Sequence, residues 1–265
     1  MLHELNSSEY GALKGIAEIE RFPMTAAVVY GLQNGHIYVD DANTPGLYLI
    51  INKSGRGYLY LTAEHVDYAR LLDFMWRCDD IPDYFHISNA SEELIAAATA
   101  YDKVNTKVRM RMRMQKTEET DESGIIDMRG LTAKRIDEVD NKDLLAFGVD
   151  FVKVSWKSIE EMKATGIGWV IYENDIPITL WYPMSVANYN SETDIITLPE
   201  FRGKGSATVG CALILKTLKE KGVRMDWDLF QDNIPSLKLA HHFKYETYFP
   251  YTFLSIFKVK EGQSS

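Results

Sequence analysis

Cysteine is scarce in this chain of 265 residues: Cys78 and Cys211 are the only two, and they lie far apart. A disulfide framework and a cysteine-rich zinc module are therefore both excluded, and we expect no metal cofactor. Two free thiols are typical of a reducing cytosol. The first twenty residues lack the basic start and apolar core of a secretory signal. We therefore expect a cytoplasmic protein.

Long apolar runs are also missing. The longest, such as Leu47–Asn52, have the length of strands, whereas a membrane helix needs roughly 18 apolar residues. The net charge of −9 repels phosphate backbones at long range. We therefore expect neither a membrane nor a nucleic acid as a partner. Apolar residues make up 46% and charged residues 25% of the chain, which is the composition of a globular protein.

An acidic stretch divides the chain. Residues 117–123 contain four acidic residues, no basic residue and no apolar residue, so they cannot contribute to a core. We predict an N-terminal α+β domain over residues 1–116, a linker over 117–123 and a C-terminal domain over 124–265.

The C-terminal half mixes strand and helix patterns. Apolar spacing predicts helices over 132–139, 143–147 and 158–164, and then a hairpin of two strands over 167–172 and 176–182. A strand over 193–198, a helix over 205–221, a strand over 224–229, a helix over 233–243 and aromatic-rich strands over 247–259 follow. This order predicts an α+β fold with a mixed sheet. In the N-terminal half, a helix is predicted over 8–20 and an alternating strand over 107–114.

One turn of the C-terminal half combines the features of an anion site. The strand over 193–198 runs through Arg202-Gly-Lys-Gly205-Ser-Ala207 into the long helix. Gly203 and Gly205 leave room for close approach by a ligand. The first helix amides and the helix dipole present partial positive charge. These features predict a pyrophosphate site, although an ordinary strand-to-helix turn with basic residues has the same outline.

The spacing of this turn resembles the R/Q-x-x-G-x-G/A signature of the GNAT superfamily of acyl-CoA-dependent N-acetyltransferases. It fits neither a Walker A loop nor the dinucleotide fingerprint. A second segment, from Asn233 through Ser236 and Leu239 to Lys244-Tyr245, is similar to the N-x-x-S-x-x-L-x-x-x-x-G-F segment of the same superfamily. The resemblance covers about residues 124–258. The whole pattern is similar to a bacterial two-domain GNAT group in which a smaller, degenerate GNAT-like half precedes a catalytic half with a central mixed sheet flanked by helices.

The resemblance implies an acetyl-CoA-dependent N-acetyltransferase that passes the acetyl group to a primary amine by direct attack in a ternary complex. The acceptor would be a small-molecule amine or a peptide amine, and a homodimer stays open. The implied cofactor-binding residues are Ile196, Thr197 and Leu198 along the pantetheine arm, Arg202, Gly203, Lys204, Gly205, Ser206, Ala207 and Thr208 around the pyrophosphate, and Asn233 and Ser236. Helix capping is an equally good role for Asn233 and Ser236.

Acyl transfer to an amine needs a base for the amine and an acid for the leaving thiolate. Where many GNATs carry the tyrosine acid, this chain has Ala240, so we predict Tyr245 or Tyr248 as the acid and Asp194 as the base. The alternatives are Tyr251, His241 and His242 for the acid, and Glu173, Glu192, Asp226 and Asp228 for the base. A surface position is the favoured interpretation of the two histidines.

The missing tyrosine leaves two further functions open. One is a catalytically inactive GNAT-fold protein that binds CoA or another ligand for regulation. The other is a protein whose anion ligand is a nucleotide phosphate.

Overall fold

The structure is a computed structural model that describes residues 2–100, 104–114, 128, 130–148 and 156–258. The described residues fall into two compact units. The first unit holds residues 2–100, 104–111, 229–232 and 249–258, and the second holds 112–114, 128, 130–148, 156–228 and 233–248. The predicted linker lies outside the described residues, so the domain boundaries stay predictions.

Both units contain strands and helices. The strands are β1 (His3–Glu4), β2 (Gly35–Val39), β3 (Leu47–Asn52), β4 (Arg56–Leu61), β5 (Tyr84–Ser88), β6 (Val104–Met114), β7 (Thr132–Arg135), β8 (Trp169–Glu173), β9 (Ile176–Ala187), β10 (Asn190–Thr197), β11 (Arg224–Phe230) and β12 (Tyr245–Phe257). The helices are α1 (Ala17–Glu20), α2 (Pro23–Val29), α3 (Tyr68–Arg77), α4 (Glu92–Thr99), α5 (Asn141–Leu145), α6 (Ile159–Ala164), α7 (Ser206–Glu220) and α8 (Ile234–His242). Short 3₁₀ helices cover Ser7–Leu13, Ile136–Glu138 and Pro199–Phe201. Among the helices described, none is long and apolar enough to cross a membrane.

The sheet of the first unit has the strand order β1-β2-β3-β4-β5, followed by β12. Strands β2, β3 and β4 form antiparallel hairpins, whereas β4 and β5 are parallel. The helices α3 and α4 cover one face and bury a cluster that includes Leu49, Leu72, Phe85, Leu94 and Leu254. Residues 249–258 thus join the first unit, because β12 pairs with β5 from Phe253 to Phe257.

A buried histidine makes the first unit sensitive to pH. The His86 ring stacks on Phe253, and its Nδ1 lies 2.9 Å from the Ser255 hydroxyl. Burial, and then the guanidiniums of Arg56 and Arg109, lower the pKa of His86 from 6.5 to about 3. As the pH falls, His86 of the unfolded chain therefore binds a proton near pH 6.5, whereas His86 of the folded chain binds it only near pH 3.

We expect this difference to reduce the free energy of unfolding as the pH falls below 6.5, by about 1.4 kcal/mol per pH unit for one proton. Urea titrations between pH 7 and pH 4.5 measure the slope. A His86→Gln variant should be flatter than the wild type over this window, and the exposed His65, changed to Gln, is the matched control. Equal slopes for wild type and His86→Gln would contradict the assignment.

The sheet of the second unit has the order β11-β10-β9-β8-β7. The pairs β7–β8, β8–β9 and β9–β10 are antiparallel, whereas β10 and β11 are parallel. Helix α7 packs on one face through Val209 against Ile171 and Ile178. The other face buries Leu144 of α5 and Met162 of α6 in a cluster with strand residues. The central mixed sheet flanked by helices is therefore confirmed.

Two helix predictions were wrong. The segment predicted as a helix over 132–139 forms the edge strand β7, because residues 132–135 pair with β8, and only a 3₁₀ turn follows. The helix predicted over 8–20 is interrupted at Gly15, which has a φ of +81°. Apolar spacing alone does not distinguish a short edge strand from a helix, because strand pairing comes from distant residues.

Candidate active site

Two parallel strands separate in the middle of the second unit. Strand β10 pairs with β11 from Asn190 to Glu192, opposite Arg224 to Asp226, and the pairing ends there although both strands continue. The register of β10 on β9 shifts between Glu192 and Thr193. Such a β-bulge bends the strand that carries it. An open strand edge therefore runs along the rest of β10.

The register of β10 on β9 decides which backbone groups face this open edge. The Leu198 amide donates to the Ile178 carbonyl at 3.0 Å, and Thr197 lies opposite Thr179. Since hydrogen-bonding directions alternate along a strand, Ile196 and Leu198 point their backbone groups towards β9. Thr197 points its own groups outwards. Of the three residues predicted to bind the pantetheine arm, Thr197 is therefore the one that offers a backbone amide to a ligand.

The predicted pyrophosphate site, called the cradle from here on and formed by residues 202–208, lies at the start of α7. Gly203 has a φ of +77° and Gly205, the N-cap, a φ of +88°, so the chain turns through left-handed conformations that favour glycine. In this turn, five consecutive backbone amides donate to no acceptor among the described residues, those of Gly203, Lys204, Gly205, Ser206 and Ala207. The Thr208 amide donates to the Gly205 carbonyl at 3.0 Å. A Cβ built on Gly203 would meet no atom within 4 Å.

A row of three hydroxyls ties the start of α7 to the strands. The Thr179 hydroxyl lies 2.8 Å from that of Ser206 and 3.0 Å from that of Thr197. Ser206 therefore uses its side chain to fix the helix start, and its amide stays available.

Trp181 packs against the first turns of α7. Its Nε1 donates to the Ala207 carbonyl at 3.1 Å, and its ring packs so closely under Gly210 that a Cβ there would lie 2.3 Å from Cδ1. Gly210 is thus required for the approach of helix to strand. The position of the first helical turn depends on this contact.

Two full positive charges flank the cradle. The Arg202 guanidinium donates through Nε to the Thr197 carbonyl at 3.1 Å. The Lys204 ammonium lies 3.2 Å from a Glu173 carboxylate oxygen and 4.7 Å from the centre of the Phe201 ring. Both side chains are at the surface. Glu173, an alternative base in the sequence analysis, is therefore an ion-pair partner of the cradle.

The Asn233 segment caps the next helix. The Asn233 Oδ1 accepts the Ser236 amide at 3.2 Å at the start of α8, and the Ser236 hydroxyl accepts the Trp227 indole N–H at 3.0 Å. The capping role that the sequence left open is therefore observed for Asn233. Contact of either residue with pantetheine stays a prediction. Lys244, at the position of the glycine in the superfamily segment, has a φ of +62°.

The two tyrosines predicted as acids have opposite environments. Tyr245 is buried against Trp227, and its hydroxyl donates to the Met225 carbonyl at 3.3 Å. Burial raises the pKa of Tyr245 well above its ordinary value, so its phenol is a weak acid. Tyr248 is exposed, and the Arg113 guanidinium lies 3.8 Å from the centre of its ring.

Asp194 lies on β10 just past the bulge. Its Oδ2 accepts the Tyr182 hydroxyl at 3.1 Å, and its Oδ1 accepts the Ile195 amide at 2.7 Å. Burial, and then the Asp194 carboxylate, raise the pKa of Tyr182 far above its ordinary value. Tyr182 therefore stays protonated and orients the carboxylate. Asp194 itself is exposed, so it stays accessible from solvent.

The other groups considered for catalysis have structural surroundings. Tyr251 is buried against Phe22 in the first unit. His241 and His242 are exposed, which confirms their predicted surface position. Asp226 is fully buried in an ion pair with Arg113. Burial raises the pKa of the Cys211 thiol, so Cys211 is not poised as a nucleophile.

Sequence reasoning missed the residues that hold the site in place. Thr179, Trp181, Asn190 and Arg113 carry no motif, and each acts through a contact with a residue distant in sequence. The available signals were the placement of Trp181 and Thr179 in a predicted strand preceding the motif strand, and of Arg113 in the predicted alternating strand over 107–114. These signals identify elements but no contacts.

In the first unit, the described residues bring three metal-binding side chains together. Ligand atoms of Glu4, His36 and Asp80 lie within 4.8 Å of one another, with His36 Nδ1 2.7 Å from Glu4 Oε1. Glu4 and Asp80 are exposed. The His36–Glu4 ion pair accounts for the contact, and the expectation that the protein uses no metal stays a prediction.

The site thus combines two parallel strands that separate with a helix whose N-terminal amides are free. A family model described as GNAT acetyltransferase matches residues 16–254. The chain therefore belongs to the GNAT acetyltransferase family, and it is an acyltransferase of a family that uses acetyl-CoA.

Similar proteins extend over nearly the whole chain. The chain is 24% identical over 266 residues to the uncharacterized N-acetyltransferase YdfB of Bacillus subtilis (strain 168), covering 95% of this chain and 97% of YdfB. A GCN5-related N-acetyltransferase-like protein from Streptococcus suis 89/1591 has a similar fold, with a TM-score of 0.69, 19% identity and coverage of 94% and 99%. A tandem GNAT protein from the clavulanic acid biosynthesis pathway gives a TM-score of 0.57 at 10% identity, with coverage of 98% and 99%.

Proposed function

We propose that the chain transfers the acetyl group of acetyl-CoA to a primary amine by direct attack in a ternary complex. The observation that carries the proposal is the set of free amides from Gly203 to Ala207, next to the open edge of β10. A diphosphate fits these donors, because amides at a helix N-terminus bind anions. The Thr197 amide extends the same surface along the strand, where a pantetheine carbonyl could pair with it.

The proposed chemistry assigns one proton transfer to each of two exposed side chains, Asp194 as the base and Tyr248 as the acid. The attacking amine loses a proton to Asp194, directly or through water, as its nitrogen bonds to the thioester carbonyl carbon. When the carbon–sulfur bond breaks, the CoA thiolate takes a proton from Tyr248. Tyr248 is the preferred acid because the Tyr245 hydroxyl is already donated to a carbonyl. The high pKa of Cys211 argues against a covalent thioester intermediate on the enzyme.

In our proposal, the corresponding helix start of the first unit does not bind a diphosphate. Its helix α3 follows β4 as α7 follows β10, but the Asp67 carboxylate caps α3 by accepting the Arg70 amide at 3.0 Å, and Glu64 precedes it. Negative charge at this position repels a diphosphate.

We therefore expect isothermal titration with acetyl-CoA to show one binding site per chain, because the two helix starts carry opposite charge. CoA should compete for the site, and ATP should compete far more weakly, since it lacks a pantetheine arm to pair with β10. Equal competition by ATP would favour a nucleotide ligand. The absence of acetyl-CoA binding would overturn the proposed function.

The second candidate is a regulatory CoA-binding protein without catalysis. It is favoured by Ala240, which is fully buried at the position of the superfamily's acid. Release of free CoA thiol in the presence of a panel of polyamines, amino sugars, amino acids and peptides distinguishes the two candidates. Turnover with any amine supports the enzyme, whereas tight acetyl-CoA binding without turnover across the panel supports the regulator.

A further inference from the structure

A fully buried carboxylate lies where β10 and β11 part. Asp226 is the last residue of β11 that pairs with β10, opposite Glu192. Its side chain is 0% exposed. The Arg113 guanidinium binds it with two parallel contacts, Nε to Oδ1 at 2.9 Å and Nη2 to Oδ2 at 3.1 Å. Such two-point contacts fix the relative orientation of both groups.

The same carboxylate also holds the paired part of β10. The Asn190 side-chain amide donates to Asp226 Oδ2 at 3.1 Å, and Asn190 is itself buried at the first paired position. Arg224 reaches Oδ1 through Nε at 3.2 Å, but its side chain is half exposed. Asp226 therefore joins both strands just before the bulge at Glu192 and Thr193. The bulge residue Thr193 contacts β11 in turn, with its hydroxyl 2.8 Å from Met225 Sδ.

Arg113 links this carboxylate to the proposed acid. Its guanidinium lies 3.8 Å from the centre of the Tyr248 ring, so one face of the ring rests on a cation whose orientation Asp226 sets. A guanidinium fork that is bound at two points can serve as a flat support for a ring. A lysine ammonium has no such plane.

We propose that Asp226 and Arg113 are positioning residues for acyl transfer. Their ion pair, between a fully buried carboxylate and a partly buried guanidinium, sets the point at which the strands separate and holds the Tyr248 ring. Buried ion pairs contribute little net stability compared with apolar packing, and fixing a geometry is a role they can fill. The inference rests on the proposed function, because it concerns the thioester end of the same site.

The test uses acetyl-CoA labelled with ¹³C at the carbonyl, bound to the full chain, so that it needs no knowledge of the acceptor. The variants are Asp226→Asn, which keeps the shape but not the charge, and Arg113→Lys, which keeps the charge but not the fork. Arg224→Lys is the matched control, since Arg224 touches the same carboxylate from the surface. Thermal unfolding identifies variants that fail to fold. If Asp226→Asn fails to fold, Arg113→Lys decides the test.

In the wild type, the carbonyl resonance is expected to shift on binding. Both variants should bind acetyl-CoA within about threefold of the wild type and return the resonance towards that of free acetyl-CoA, with turnover reduced about 10- to 100-fold if the panel yields an acceptor. Arg224→Lys should match the wild type.

A wild-type resonance in the folded variants, or an equal effect of Arg224→Lys, overturns the inference. Loss of acetyl-CoA binding in a folded variant also overturns it, since the pair would then support the acetyl-CoA-binding surface itself. Failure of the wild type to bind overturns the proposed function instead.

Discussion

Replacing Gly203 by aspartate is expected to weaken acetyl-CoA binding about 100-fold, or ~2.7 kcal/mol. The new carboxylate would project into open space beside the free amides, because a Cβ at Gly203 meets no atom within 4 Å. There it would repel the diphosphate, and unit charges about 4 Å apart near a protein surface interact by several kcal/mol. Isothermal titration of the variant with acetyl-CoA measures the loss.

Gly222 provides a matched control at the other end of α7. It has a φ of +66°, compared with +77° at Gly203, and a Cβ there also meets no atom within 4 Å. Gly222→Asp therefore adds the same charge at the same backbone conformation without touching the cradle. We expect its affinity for acetyl-CoA to be that of the wild type. If both variants lose affinity equally, or if neither does, the diphosphate does not bind at Gly203.

Truncating Trp181 to alanine is expected to lower the free energy of unfolding by about 3–5 kcal/mol. The side chain is among the largest fully buried ones, its ring fills the space under Gly210, and its indole N–H donates to the Ala207 carbonyl. The variant leaves a cavity and loses this hydrogen bond at once. Urea denaturation of wild type and variant measures the difference.

Trp169 is the natural comparison, because it is a tryptophan on the adjacent strand β8 that also donates to α7. Its Nε1 reaches the Thr217 hydroxyl at 2.9 Å, near the far end of the helix, and its side chain is only partly buried. We expect Trp169→Ala to cost about 1–2 kcal/mol. Trp181→Ala should also weaken acetyl-CoA binding, whereas Trp169→Ala should not. Similar losses of stability in the two variants would show that Trp181 has no special role under the turn.

The turn that binds the diphosphate in our proposal could be predicted from the sequence because its information is local. Glycine at 203 and 205 specifies left-handed backbone, and a following helix start supplies free amides whatever the rest of the chain does. The long helix and its stop at Gly222 are equally local. Of the six amides that the resemblance implied from Gly203 to Thr208, five donate to no acceptor among the described residues, and the Thr208 amide closes the first turn on the Gly205 carbonyl.

Groups whose role depends on burial could not be predicted in this way. Tyr245 and Tyr248 are three residues apart in one aromatic segment, yet one is buried with its hydroxyl donated and the other is exposed on Arg113. The charge of Asp226 gave no sign that the residue would be fully buried. Burial depends on strand pairing between distant segments, and the sequence pattern of a single strand does not contain it.

The row of hydroxyls from Thr197 through Thr179 to Ser206 has a consequence for the proposed binding of acetyl-CoA. Because these contacts join the open strand to the first residue of α7, the surfaces proposed for the arm and for the diphosphate form one preassembled frame. A molecule that spans both meets them already in register, so little of its binding free energy is spent on ordering the protein.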